Sequence, residues 1–310
     1  MADQLLRQIA LVSESSAVPQ DLVSRIAAAL QKQVTRDLES LWKITATVDA
    51  FARLEDVPLG TWPIVIQDDI GYNARGIHLD NDGQPFALVE ADTSEDVTSL
   101  TSSHECLEML VDPYGKRMVA GDSPKPDQGR VMFLVEVCDP SEAAAYAYTV
   151  NGVLVSDFYT PQFFDPVAAS GVRYSFTGAI KEPRQVLQGG YLSWMLPESR
   201  VWWQEVWFGT PESHFVEAGI MDGACSLRTE LDRLTENGRV QAMLAGRYGA
   251  TLAGSRFGAV SAATGARARD LRSAIERVKG EAKLTRADDG NDGSGRGIAP
   301  GPHRRSAPRL

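Results

Sequence analysis

Ser102-Ser103-His104-Glu105-Cys106-Leu107-Glu108-Met109-Leu110-Val111-Asp112-Pro113 carries the pattern His-Glu-x-x-Glu. Leu107, Leu110 and Val111 recur at helical spacing, which predicts a helix packed against a core. On a helix, four residues span about 400° of rotation and about 6 Å of rise, so His104 and Glu108 project from one face on successive turns. An imidazole and a carboxylate placed this way can bind one divalent metal, and Glu105 stands next to them to act on a metal-bound water. Polar side chains on a helix of this kind need partners, because an unpaired buried polar group is costly. A metal satisfies two of them at once. Proline disfavours helical geometry in the residue before it, so Pro113 predicts that the helix stops near Val111. Asp112 then lies about 12 Å along the axis from His104 and reads as a capping or supporting residue before it reads as a ligand.

Upstream, Leu22, Ile26, Ala29, Leu30 and Val34 predict a helix over 20–38 with Pro19 near its start. Residues 43–50 alternate apolar and polar and read as a strand, as do Trp62 to Gln67, Arg75 to Leu79 and Pro85 to Glu90. Asp80-Asn81-Asp82-Gly83 is a turn, since its carboxylates are wrongly spaced for a calcium loop. Asp92-Thr93-Ser94-Glu95 supplies cap candidates for the motif helix.

One helix, four strands and then a helix bearing His-Glu-x-x-Glu resembles the N-terminal half of a zincin metallopeptidase domain. The second histidine of the zinc-protease pattern is replaced here by Glu108, whose carboxylate oxygen is also a zinc ligand. The resemblance covers about residues 20–112 and is specific at 104–108. It implies an edge strand that pairs with extended substrate, for which Arg75 to Leu79, containing His78, is the candidate. It also implies a third ligand C-terminal to the motif helix.

Past a Gly-, Pro-, Lys- and Asp-rich loop over 114–130, Val131 to Val137 reads as an apolar strand with Glu136 inside it. A buried carboxylate requires a cation or donors, so Glu136 is the candidate third ligand, with Asp139 and Cys138 as alternatives. Asn151-Gly152 marks a hairpin within 146–158. Phe158, Tyr159, Phe163, Phe164, Tyr174 and Phe176 read as core, and Gln188-Gly189-Gly190-Tyr191 as a tight turn presenting a tyrosine. Val201 to Trp207 is a last strand or a partner-facing patch. Together, His-Glu-x-Leu-Glu-Met-Leu-x-Asp-Pro, Glu-Val-Cys-Asp, Val-Ser-Asp-Phe and Gly-Gly-Tyr look like an uncharacterised family of bacterial and phage-associated proteins over about 25–195. That likeness implies a shared domain and no particular reaction.

The 310 residues carry a net charge of −10, unevenly spread. From Arg247 onward there are 13 Lys and Arg against 6 Asp and Glu; the preceding stretch has 18 against 35. An acidic body disfavours nucleic acid, whereas the basic C-terminal part admits a protein partner or simple solvation. Residues 225–246 and 259–284 read as helices, and 287–310, rich in Gly, Pro, Ser and charge, as disordered. No run of 18 apolar residues predicts a membrane span, and the start lacks the basic-then-apolar layout of a secretory signal. Cys106, Cys138 and Cys225 are too few for a disulfide framework and fit a reducing compartment, so a cytoplasmic or virion-associated protein is expected. The expected architecture is α/β (α+β): an N-terminal helical segment over 1–18, a zincin-like mixed-sheet domain over 19–210 with a β-rich second half, a helical extension over 211–284 and a tail over 285–310. The expected function is metal-dependent peptide hydrolysis, with His104, Glu108 and Glu136 holding Zn²⁺ (or Mn²⁺) and Glu105 as the base. The alternative is a non-catalytic zincin-like scaffold in a phage or bacterial assembly.

Overall fold

The computed structural model describes residues 6–72, 74–221 and 268–280. Two five-stranded sheets and the helices between them make an α+β fold. The first sheet contains β1 (Arg7–Ser13), β2 (Ala46–Phe51), β3 (Trp62–Gln67), β4 (Gly76–Asn81) and β5 (Gln84–Glu90), in the order β2-β1-β3-β5-β4. All neighbours are parallel except β4, which runs antiparallel to β5 along the edge.

Residues 7–13 were expected in a helical segment over 1–18, and they form the second strand of the sheet instead. Ile9-Ala10-Leu11-Val12 is a continuous apolar run, and all four side chains are buried. Such runs suit a strand covered on both faces, where no alternation appears to mark the strand. Ile9 and Leu11 join the core under the helices; Ala10 and Val12 join the core on the opposite face.

The helix expected over 20–38 is α1 (Gln20–Lys32), followed by a π-helical turn (Gln33–Leu38) and α2 (Glu39–Trp42). The widened turn brings Gln33 and Asp37 inward. Gln33 Nε2 donates to the Ser156 carbonyl and its Oε1 accepts from Ser103, which ties this segment to the motif helix α3 (Glu95–Val111).

The second sheet holds β6 (Met118–Asp122), β7 (Arg130–Leu134), β10 (Tyr191–Met195), β11 (Val201–Val206) and β12 (His214–Ile220), in the order β12-β11-β10-β7-β6 and entirely antiparallel. Between them lies a hairpin of β8 (Tyr148–Val150) and β9 (Val153–Val155). Its turn residues Asn151 and Gly152 have φ of 52° and 78°, the left-handed pair that a two-residue hairpin turn demands. β6 lies in the stretch expected to be a plain loop, because Gly121 and the polar residues around it hide a strand that exists through pairing with β7. The strand expected over 131–137 ends at Leu134, so Glu136 lies beyond it. β11 is neither a last strand nor a free patch, since β12 pairs along it. The aromatics of 158–176 are core: Phe158, Tyr159, Phe163 and Tyr174 are buried, and Tyr159 stacks on Phe163 at 4.2 Å.

The extension expected to be helical over 211–284 therefore begins as a strand. Within it, residues 268–280 are helical (α4). Ala268, Leu271 and Ile275 cover the sheet face opposite α1 and α3, beside Val65, Ile77, Phe86 and Leu88. Arg272, expected to be solvated or partner-facing, pairs with Glu14 and Glu55 of the same chain. The helix expected over 225–246 and the tail over 285–310 lie outside the described residues.

Candidate metal centre

α3 begins where Asp92 Oδ1 accepts from the Ser94 backbone N–H at 2.8 Å, with Glu95 and Asp96 in the first turn to complement the helix dipole. It ends at Val111, before Asp112-Pro113, as expected. Thr98 to Val111 are all buried, because one side of the helix meets the first sheet and the other meets the chain that follows β7. Its polar side chains divide into two groups. Ser99 donates to the Leu154 carbonyl, Ser102 to Thr98 and Ser103 to Gln33, so these are satisfied. His104, Glu105 and Glu108 instead face one another, β4, and the turn beyond β7.

His104 Nε2 stands 3.3 Å from Glu108 Oε1, the i,i+4 pair expected from the sequence, and 3.2 Å from Asp139 Oδ1. Both are ion-pair distances to a buried ring. Asp139 opens a 3-10 turn (Asp139–Ser141) that the chain reaches a few residues after β7 ends at Leu134. That turn is fixed against α3: Cys138 N–H donates to Glu108 Oε1 at 3.2 Å, and the Cys138 thiol approaches the His104 carbonyl at 3.8 Å. Gly190 permits a further clamp, since a Cβ there would stand 2.6 Å from the Asp139 and Pro140 carbonyl oxygens. The Gly-Gly pair thus serves close backbone approach, and Tyr191 is buried in β10.

The donor atoms fall into four overlapping sets, each within 4.8 Å: His104, Glu108 and Cys138; His104, Asp139 and Glu142; Glu108, Glu136 and Asp139; and His78, Glu105 and Glu108. Glu136 is buried, as its apolar neighbours predicted, and joins the cluster through Glu108 and Asp139. Asp112 belongs to none of these sets. Its Oδ2 accepts from the Arg117 backbone N–H at 2.6 Å, which ties the end of α3 to the loop that follows it.

The electrostatics follow from burial beside carboxylates. Burial favours the neutral His104 ring, but Glu108, Asp139 and Glu105 outweigh it and hold its pKa well above the ordinary value. Burial, reinforced by Glu108, Asp139 and Glu105, pushes the Cys138 thiol well up. A bound cation would itself draw off that proton, so Cys138 stays in the donor set with His104 and Glu108.

Two neighbours were not assigned from sequence. His78 of β4, noted there only as part of an edge strand, is buried against α3. Among the described residues the buried Tyr159 hydroxyl makes no hydrogen bond, and burial with the charges of Glu108 and Asp139 raises its pKa well above the ordinary value. An alternating strand containing a histidine was the only signal for the first. For Tyr159 there was none, because its surroundings come from residues far away in the chain. No protein-family model, curated protein or solved structure matches this chain.

Proposed function

We propose that the cluster at the end of α3 binds a divalent cation, Zn²⁺ or Mn²⁺, and supports metal-dependent peptide hydrolysis. The observation that carries this is the overlap of buried donor sets around His104 and Glu108: His104 Nε2 stands 3.3 Å from Glu108 Oε1 and 3.2 Å from Asp139 Oδ1, and Glu108, Asp139 and Glu136 form a further set within 4.8 Å. Bonds of about 2.0–2.1 Å at tetrahedral angles place two ligand atoms about 3.3 Å apart. Asp139, an alternative third ligand from the sequence, approaches His104, and Glu136, the sequence candidate, stands with Asp139 and Glu108 in a set of its own. The cation would supply Lewis acidity toward a carbonyl and toward water. A carboxylate-rich set lends it more charge than imidazoles do, which leaves its water less acidic and favours Mn²⁺ as an alternative.

Glu105 is the residue in place to take a proton from water and return it to the departing amine. β4, the antiparallel edge strand, is where an extended peptide would pair by strand addition. The order of strands and the placement of α3 support the zincin likeness, and a protein or peptide substrate follows from it. Elemental analysis of the purified full chain tests the site: wild type should hold metal, and His104→Ala should lose most of it. Equal content in both would remove the site. A search for cleaved peptides by mass spectrometry tests the reaction.

One observation favours the non-catalytic scaffold. His104, Glu108, Glu136 and Asp139 are each no more than 6% exposed, and structural metal sites are closed whereas catalytic ones keep an open position. Bound metal that exchanges no ligand with small anions, together with no cleavage of any peptide, would decide for the scaffold. Among the described residues no helix is long and apolar enough to cross a membrane.

A further inference from the structure

We infer that the cluster holds a second divalent cation, bound by His78, Glu105 and Glu108, with the Glu108 carboxylate bridging it to the cation at His104. This rests on the metal-dependent proposal above and reassigns Glu105 within it, from proton acceptor to ligand.

His78 reaches the site because strands alternate. Ile77 and Leu79 point to the core under α4, and His78, opposite Ala87 of β5, points to α3. Its side chain is fully buried, and neither ring nitrogen makes a hydrogen bond among the described residues. A neutral imidazole has one donor and one acceptor, and burying both without partners is costly. What Nδ1 faces instead is a pair of carboxylate oxygens, Glu105 Oε2 at 3.6 Å and Glu108 Oε2 at 3.7 Å. These are too long for hydrogen bonds. Bonds of about 2.2 Å at tetrahedral angles give ligand separations of about 3.6 Å.

Glu105 is held there by a fitted wall. Gly76 of β4 has no side chain, and a Cβ at that position would stand 2.5 Å from Glu105 Oε1. Its other oxygen, Oε2, makes no hydrogen bond among the described residues and faces His78. Glu108 divides its two oxygens between the two histidines, Oε1 toward His104 and Oε2 toward His78. A carboxylate that offers one oxygen to each of two imidazoles has the geometry of a bridging ligand. Paired cations in hydrolytic sites stand about 3.5–4 Å apart, a span one carboxylate bridges.

The test is a titration of the chelator-stripped full-length protein with Mn²⁺ alone, followed by equilibrium dialysis and electron paramagnetic resonance. Wild type should bind two equivalents, and the second should produce the spectrum of two exchange-coupled ions. His78→Ala should bind one equivalent and show the uncoupled spectrum of an isolated Mn²⁺, with an unchanged circular dichroism spectrum. Should that variant fail to fold, the coupled spectrum of wild type carries the result by itself. Saturation of wild type at one uncoupled equivalent would overturn the second site and leave the first standing. Absence of any bound Mn²⁺ would overturn both.

Discussion

Gly76 and Glu105 meet so closely that each constrains the other. Gly76→Ala should destabilise the protein by about 1–3 kcal/mol, the ordinary cost of overpacking, because the added methyl meets Glu105 and also Thr101 Cγ2 at 2.7 Å. Chemical denaturation measures it, and a stability equal to wild type would mean that Glu105 does not lie against β4. Glu105→Gln should abolish turnover whether this residue is base or ligand. Its metal content separates the roles, since a base can be replaced without loss of cation and a ligand of the second site cannot. Asp139→Ala and Glu136→Ala should both lower metal content, the first more, because Asp139 is the carboxylate beside His104. Full occupancy in both variants would leave only the α3 pair and end the three-ligand description. Of this set, His104 and Glu108 were legible because helical spacing is a local property. The burial of Glu136 was legible from Val135 and Val137 around it. The stronger claim of Asp139 was not, because it depends on β7 ending three residues earlier than its apolar run suggests.

Among the elements, α4 is the one whose attachment responds to acid. The Arg272 guanidinium, hydrogen-bonded to Glu55, lowers that carboxyl to about 2 from an ordinary 4.5. A carboxyl depressed by folding stabilises the folded state above its ordinary pKa, and that contribution fades as pH falls toward about 2. Hydrogen-exchange protection of 268–280 should therefore weaken on acidification below about pH 4.5, the ordinary carboxyl value. Arg272→Ala should remove the part of that pH dependence owed to Glu55. Both groups are partly solvated, so the effect should be a modest shift in protection and not a loss of the helix. Helical periodicity made this element visible in sequence. Its docking was not, since a row of arginines reads the same whether it faces water, a partner or the acidic residues of its own chain.

For the whole molecule, the covering of the first sheet on both faces decides stability. Ending the chain after about Lys283 should leave the melting temperature nearly unchanged, because the Gly-, Pro-, Ser- and charge-rich remainder cannot contribute a core. Removing 268–280 as well uncovers the face lined by Val65, Ile77, Phe86 and Leu88. Loss of buried Leu271 and Ile275 alone should cost about 3–6 kcal/mol, at about 1.5–3 per fully buried side chain. Calorimetry on the two truncations distinguishes them, and equal melting temperatures would show that α4 is not a structural layer. The sequence by itself determined what is local: the motif helix and its end at Pro113, the strands over 62–67 and 85–90, the Asn-Gly hairpin, and the histidine–carboxylate pair one turn apart. Only tertiary structure decided that 7–13 is a buried strand, that 118–122 pairs with β7, and that His78 and Asp139 meet α3 from opposite sides. The reason is physical. Helix spacing and turn chemistry are properties of neighbours in the chain, whereas a buried strand and a shared donor cluster exist only once distant segments have excluded water between them.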